Sequence, residues 1–248
     1  PVCACARTRR VSADAGLNVH IGSKSTELGP CQNACRRRRE LAEALIRDGH
    51  KLDHLDIGGG LGVPYHSTDA TEGDVAPSPT AYAAVVKEQL GDLGLKLILE
   101  PGRMIAANAG VLVARVVYVK EGVDKTFTVV DAAMNDLLRP TLYEAHHEIW
   151  PVQQDRRAMP PVAQDIVGPV CETGDYLAQN RNLPPFEPGD LLAVMTAGAY
   201  GAVMASNYNT RPLVPEVLVK GEQASVVRPR QTYDDLIGAD RLPNWLAP

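Results

Sequence analysis

The feature that most constrains the fold is an alternation of short apolar strands with helices over the first part of the chain. Apolar runs near residues 17–21, 55–57 and 96–99 have the length and composition of buried strands. Segments of helical periodicity separate them, near residues 34–48 and 80–90, and Thr80 is the expected cap of the second helix. This rhythm is typical of a parallel sheet or barrel, so we expect an α/β fold here.

The pattern changes after about residue 110, where apolar runs are separated by turn residues and few long helices intervene. The segments that look like strands are 111–119, 126–130, 165–170, 191–195, 215–219 and 224–227. A succession of strands without intervening helices is typical of a mainly β structure. The sequence therefore predicts two domains, residues 1–109 and residues 110–248.

Composition excludes several classes of function. The formal net charge is −5 and the basic run 36–39 is followed at once by glutamates, so we expect no nucleic-acid partner. The simpler interpretation of that run is a solvated helix face, and the alternative is an anion-binding patch. No apolar stretch has membrane-spanning length. Five cysteines without a histidine cluster at zinc-ligand spacing favour a reducing, cytoplasmic location and no metal site.

Polar residues follow each strand of the first domain. His20 and Ser23 follow the first strand, residues 58–60 are three glycines after the second, and Glu100 and Arg103 follow the third. Glycines let backbone N–H groups approach a phosphate, although such a turn is equally often structural. Arg103 can bind a phosphate through its guanidinium or simply pair with Glu100. Because chemistry collects at the carboxyl ends of barrel strands, we expect these residues to meet there.

The second domain carries three further groups of candidate residues. Arg139 and Tyr143 are four apart, so a helical turn would put both on one face, either as a surface pair or as a carboxylate site. Cys171 and Glu172 lie in a polar turn, where a cysteine is an acid/base candidate rather than a buried hydrophobe. Tyr200 lies in a glycine-rich segment that is otherwise read as a turn.

The order of the motifs is more specific than any one of them. His-x-Gly-Ser, the triple glycine, Glu-Pro-Gly-Arg, Gly-Pro-x-Cys-Glu and Gly-Ala-Tyr-Gly together resemble the fold-type III pyridoxal-phosphate decarboxylases. Within that group, Cys171-Glu172 and Arg139-x3-Tyr143 resemble the members that act on diaminopimelate. The resemblance runs from about residue 17 to the end. It implies the C-terminal half of a (β/α)8 TIM-type barrel over residues 1–109, followed by a mainly β domain that could also supply the last barrel strand.

The resemblance implies pyridoxal 5'-phosphate as the cofactor. Its implied binding residues are His20, Ser23, Gly58, Gly59, Gly60, Glu100, Gly102, Arg103 and Tyr200. His20 would stack on the ring, the glycines and Arg103 would hold or neighbour the phosphate, and Glu100 would keep the pyridine nitrogen protonated.

The implied reaction is decarboxylation of meso-diaminopimelate to L-lysine, with Cys171 returning a proton to the substrate carbon. The implied substrate-binding residues are Arg103, Arg139, Tyr143, Glu172 and Tyr200. Family members form homodimers with shared active sites. By that resemblance Cys171 and Glu172 would serve the partner's site.

The chain departs from the family in one important respect. The lysine that links to the cofactor lies well before the His-x-Gly-Ser motif in the family, and no lysine precedes His20 here. We therefore expect an incomplete fragment that is inactive alone, since Lys24 is a poor substitute. Two alternatives stay open: an ornithine, arginine or carboxynorspermidine decarboxylase, and a non-catalytic decarboxylase-like binding partner.

Overall fold

The computed structural model describes residues 16–20, 22, 27–66 and 76–246. Ser23 and Lys24 lie outside the described residues, as does the segment before residue 16. The chain divides into two compact units, Pro1–Ala109 and Gly110–Pro248.

The first unit is built on three short parallel strands. They are β1 (Gly16–Asn18), β2 (His54–Asp56) and β3 (Lys96–Ile98), in the spatial order β1-β2-β3. Helices follow the strands along the chain: α1 (Leu28–Arg47), α2 (Pro79–Leu90) and α3 (Gly102–Ala106). Parallel neighbours need a crossover connection, and α1 and α2 provide it. The predicted α/β character of this part is confirmed.

The core of this unit lies between the sheet and its helices. Leu55 and Ile57 are fully buried, and α2 contributes Tyr82, Val86 and Leu90. Burying each such side chain stabilises the fold by about 1.5–3 kcal/mol. The expected cap at Thr80 is wrong, because Ser78 precedes the helix and its Oγ accepts from Ala81 N at 3.1 Å.

The basic run on α1 is neither a plain solvated face nor an open anion patch. Arg36 pairs with Glu40 at 2.8 Å, and Arg39 makes a bidentate pair with Asp92 at 2.5 and 2.8 Å. Arg38 is buried, and its Nη2 donates to the Val19 carbonyl at 2.6 Å. Exposed ion pairs of this kind contribute little stability. The main effect of the run is to connect α1 to the end of β1 through Arg38 and to the end of α2 through Arg39.

The second unit is mainly β. Its strands and helices are β4 (Leu112–Glu121), β5 (Thr126–Val130), α4 (Arg139–Tyr143), β6 (Ile149–Pro151), β7 (Val162–Val167), β8 (Tyr176–Leu183), β9 (Leu191–Val194), β10 (Glu216–Lys220), β11 (Gln223–Arg228) and α5 (Tyr233–Ile237). Six strands form one sheet in the order β6-β9-β4-β5-β7-β8. Only β5 and β7 pair in parallel. β10 and β11 form a separate antiparallel hairpin.

The core of the second unit comes from alternate residues of these strands. Fully buried side chains include Val116, Val130, Ile166, Leu177 and Leu192. The sequence did not indicate β6 or β8 as strands. No helix in the described part of the chain is both long and apolar enough to cross a membrane.

Candidate active site

The loops that follow β1, β2 and β3 lie side by side. His20 and Gly58 each come two residues after their strands, and so does Glu100. The strand pairing continues into these loops, since Ile57 N donates to Ile98 O at 2.9 Å and Glu100 N donates to Gly58 O at 3.0 Å. The structure therefore brings together three of the segments that the sequence singled out.

The glycine loop is packed too closely for side chains. A Cβ on Gly58 would lie 2.7 Å from the Val19 carbonyl oxygen, and one on Gly59 would overlap the Glu100 carbonyl oxygen. Gly59 N points to His20 Nδ1 at 3.4 Å. Gly58 and Gly60 also have φ of 69° and 107°, which glycine adopts without strain. The close packing and the positive φ values together require glycine at these positions.

The side chain of Asp56 stabilises this loop through two hydrogen bonds. Its carboxylate is buried, Oδ1 accepts from Gly58 N at 2.8 Å, and Oδ2 accepts from Asn18 Nδ2 at 2.7 Å. One side chain thus connects the ends of β1 and β2. Our sequence reasoning missed Asp56, although an aspartate two residues before a glycine is a signal for such a turn.

Glu100 and Arg103 follow β3. Glu100 is exposed, whereas Arg103 is partly buried in α3, which Gly102 begins. Arg103 Nη1 donates to the Tyr65 hydroxyl at 2.5 Å. The first unit therefore places His20 and Glu100 beside the glycine loop, and Arg103 follows Glu100 in α3.

In the second unit, Arg139 and Tyr143 occupy the first and last positions of α4. The expected helical turn is present, but the two side chains differ in exposure: Arg139 is 2% exposed and Tyr143 is 56% exposed. Arg139 Nη1 lies 2.8 Å from His147 Nε2. Thr141 Oγ1 donates to the Gly174 carbonyl at 2.5 Å, so α4 contacts the turn that carries Cys171.

That turn is held by a buried carboxylate. Asp175 Oδ1 accepts from Met134 N at 2.7 Å, and Oδ2 accepts from Val170 N at 2.6 Å. Cys171 and Glu172 are both exposed at its tip. The buried frame therefore presents a thiol and a carboxylate side by side.

Tyr208 is a neighbour of this turn that the sequence did not single out. Its hydroxyl donates to Glu172 Oε2 at 3.2 Å. The hydrogen bond to Glu172 raises the pKa of Tyr208, because the carboxylate stabilises the protonated phenol.

Tyr200 lies on a tightly built loop and is 43% exposed. Its φ is 61°, an uncommon backbone conformation for a residue with a side chain. A Cβ on Gly110 would lie 2.7 Å from Gly198 Cα, and one on Gly201 would overlap the Ala197 carbonyl oxygen. The aromatic ring is therefore carried by a backbone with little freedom.

The comparison with known families gives the class of protein. Residues 11–198 match the family described as "Pyridoxal-dependent decarboxylase, C-terminal sheet domain". The match covers well over half of the chain. The chain belongs to the pyridoxal-dependent decarboxylases, a family that uses pyridoxal phosphate.

Two of the similar proteins are named diaminopimelate decarboxylase. The diaminopimelate decarboxylase of Zymomonas mobilis is 47% identical over 235 residues, which are 93% of this chain and 53% of that protein. The crystal structure of diaminopimelate decarboxylase from Helicobacter pylori, complexed with L-lysine, is 37% identical with a TM-score of 0.84. It matches 95% of this chain and 57% of its own.

A related enzyme with another substrate is less similar. The lysine/ornithine decarboxylase from Vibrio vulnificus, complexed with cadaverine, is 26% identical with a TM-score of 0.68, over 78% of this chain and 51% of its own. The chain spans about half the length of the relatives it matches.

Proposed function

We propose that the protein acts in the decarboxylation of meso-diaminopimelate to L-lysine with pyridoxal 5'-phosphate. The observation that carries this proposal is the convergence of His20, the glycine loop and the Glu100–Arg103 segment at one edge of a parallel sheet. The relatives named diaminopimelate decarboxylase support the choice of substrate.

The described residues fit a phosphorylated pyridine. Gly58 and Gly59 lie where a side chain would collide with neighbouring backbone, so glycines are needed for this loop to follow its path beside His20. Arg103 contributes positive charge, and Gly60 and Gly102 neighbour these groups. We assign the phosphate to this loop, with Ser23 as a further hydroxyl donor by resemblance.

The cofactor, when bound, supplies an electron-withdrawing ring that accepts the electron pair released as carbon dioxide leaves. Glu100 would keep the pyridine nitrogen protonated, and His20 would lie against the ring. The Cys171 thiol would supply the proton that replaces the lost carboxylate, and its thiolate would be reprotonated from solvent.

Recognition of the distal amino-acid end distinguishes this substrate from ornithine or arginine. We assign its carboxylate to Arg139 and Tyr143 and its ammonium to Glu172, with Arg103 and Tyr200 also contacting substrate. The lower similarity to the lysine/ornithine enzyme supports this choice over that alternative. No observation on the described residues favours a non-catalytic partner.

We further propose that the first unit is part of a (β/α)8 barrel and that the protein works as a homodimer. Three parallel strands connected through helices support the first statement. The exposed position of Cys171 and Glu172 supports the second, since both side chains are available to a partner's site.

A substrate panel on the full-length holoenzyme tests the proposal. We expect carbon dioxide release from meso-diaminopimelate and at least about a hundredfold lower kcat/KM with ornithine or arginine, because the distal carboxylate partners would be left unpaired. Faster turnover of ornithine or arginine would refute the assignment. We expect the 248 residues taken alone to release no carbon dioxide, because the lysine that the family links to the cofactor is not among them.

A further inference from the structure

His147 is a buried histidine that the proposed reaction does not use. It is 1% exposed and lies between two groups of the second unit. Its Nδ1 is 2.8 Å from the Met195 carbonyl oxygen, and its Nε2 is 2.8 Å from Arg139 Nη1. Both contacts have the length of good hydrogen bonds.

The chemistry of the two partners fixes the protonation of the ring. A carbonyl oxygen can only accept, so Nδ1 must carry the hydrogen. A guanidinium can only donate, so Nε2 must offer its lone pair to Arg139. His147 is therefore a neutral imidazole in a single tautomer, and it accepts one hydrogen bond from a buried cation.

The other end of this contact is anchored in the sheet. Met195 follows β9 directly, and its N donates to Glu148 O at 2.8 Å, next to the pairing of Ile149 with Val194. The bond from His147 to Met195 thus continues the β6–β9 ladder. The His147 ring therefore connects the Arg139 guanidinium to this ladder.

Arginine has a long side chain whose conformational freedom must be lost when it binds a ligand. A hydrogen bond made before the ligand arrives removes part of that cost. From this geometry we infer that His147 is a positioning residue, which holds Arg139 ready to receive the distal carboxylate of the substrate. The inference rests on the proposed function, since that function makes Arg139 a carboxylate ligand.

Two substitutions separate the two hydrogen bonds of the ring. In His147→Asn the amide can still donate to Met195 from near the Nδ1 position, but the acceptor toward Arg139 is lost. In His147→Gln the amide oxygen can reach the Nε2 position, so the acceptor toward Arg139 is retained. The glutamine variant is therefore the matched control for the asparagine variant.

The probes are L-lysine and cadaverine, which is L-lysine without its carboxylate. Their equilibrium dissociation constants are measured by calorimetry on the full-length holoenzyme. We expect His147→Asn to weaken L-lysine binding about tenfold and to leave cadaverine binding unchanged. His147→Gln keeps the acceptor beside Arg139 but loses the hydrogen bond to Met195, so we expect it to weaken L-lysine binding less than His147→Asn, by no more than about threefold, and to leave cadaverine binding unchanged.

Equal losses for both ligands in His147→Asn, or no loss for either, would overturn the positioning role. If the wild-type protein itself bound cadaverine as well as L-lysine, the proposed recognition of a distal carboxylate would fail first. The two failures are therefore distinguishable. Nitrogen NMR of the wild-type histidines gives a test that needs no variant: a protonated ring or an Nε2–H tautomer at His147 would also overturn the inference.

Discussion

Asp56 shows how one buried side chain can set the geometry of a binding loop. Its two oxygens accept hydrogen bonds from different strand ends, Gly58 N and Asn18 Nδ2. The Gly58 N–H is buried, so it has few other possible acceptors. The glycine loop is thus ordered before any ligand arrives.

We expect Asp56→Ala to destabilise the protein by about 1–3 kcal/mol, because the buried Gly58 N–H loses its acceptor and Asn18 loses its hydrogen bond to β2. Cofactor affinity should fall by about tenfold or more, since the loop loses its fixed position. Denaturant unfolding and cofactor titration measure the two effects. Asp53→Ala is the control, as that side chain is exposed. Unchanged cofactor binding in Asp56→Ala would contradict the role given to this carboxylate.

We expect a methyl group at Gly59 to destabilise the protein about as much as Asp56→Ala does, but through a steric overlap. The new Cβ would overlap the carbonyl oxygen of Glu100. Glu100 cannot easily move away, because its N–H donates a hydrogen bond to the Gly58 carbonyl. We expect Gly59→Ala to cost about 1–3 kcal/mol of stability, together with cofactor affinity. Gly29→Ala is a suitable comparison, because Gly29 lies in α1 with open space around it. A Gly59→Ala protein as stable as Gly29→Ala would argue against the packed loop.

The turn of residues 171–175 depends on its neighbours more than on its own sequence. The Asp175 carboxylate accepts hydrogen bonds from the backbone N–H groups of Met134 and Val170. The Thr141 hydroxyl of α4 donates to the Gly174 carbonyl. Tyr208 reaches the same turn from far along the chain through Glu172. An exposed tip that carries a thiol and a carboxylate is thereby combined with a buried frame.

The contact between Tyr208 and Glu172 should be visible in a titration. The pKa of Tyr208 is raised by its hydrogen bond to Glu172. The stabilisation is therefore complete below the ordinary tyrosine pKa and is lost as pH rises through the raised value. We expect Glu172→Gln to lower the pKa of Tyr208, measured by NMR of labelled tyrosine, whereas Glu222→Gln at an exposed position should leave it unchanged. An unchanged pKa in Glu172→Gln would show that the hydrogen bond is absent in solution.

Elements with a local signal could be predicted, and elements made by distant partners could not. β5 carries an apolar, β-branched run and was predicted at Thr126–Val130 as observed. β8 contains the polar segment 179–182 and was missed. Its Asn180 has φ of 51°, and its N donates to Asp165 Oδ1 at 2.7 Å, so a residue on another strand stabilises the irregularity. Such a strand forms because of its contacts with a neighbouring strand, and these contacts cannot be read from the sequence of β8 alone.

The same distinction applies to the candidate site. His20, Gly59 and Glu100 could be expected to meet, because the carboxyl ends of parallel strands share one edge. His147 could not be foreseen, since its partner Met195 is 48 positions away and belongs to no motif. Roles that depend on sequence order were accessible, whereas roles that depend on a buried hydrogen bond required the structure.

Each unit of the molecule has its own core, yet part of the second unit exposes apolar surface. On the β10–β11 hairpin, Val217, Leu218, Val219, Val226 and Val227 are all at least half exposed. A two-stranded hairpin is marginally stable by itself, and contiguous exposed apolar groups favour association. The edges of the three-stranded parallel sheet add to this tendency.

We therefore expect the 248 residues, taken alone, to self-associate at micromolar concentration, as measured by light scattering after gel filtration. Replacing Leu218 and Val219 with threonine should shift the distribution toward the monomer, because the apolar patch is reduced. Val123→Thr, at a fully exposed turn position outside the hairpin, should have no such effect. A wild-type chain that is monomeric at all concentrations would contradict the expectation.

The loop that carries Tyr200 has a consequence for how such a protein can diversify. Gly110 meets Gly198 at backbone distance, and Gly201 has no room for a side chain against Ala197. Insertions or deletions in this loop would disrupt the close contact between Gly110 and Gly198. We therefore expect the length and the backbone path of the loop to vary little. Variation at this position must instead arise through exchange of the aromatic side chain itself, on an unchanged backbone.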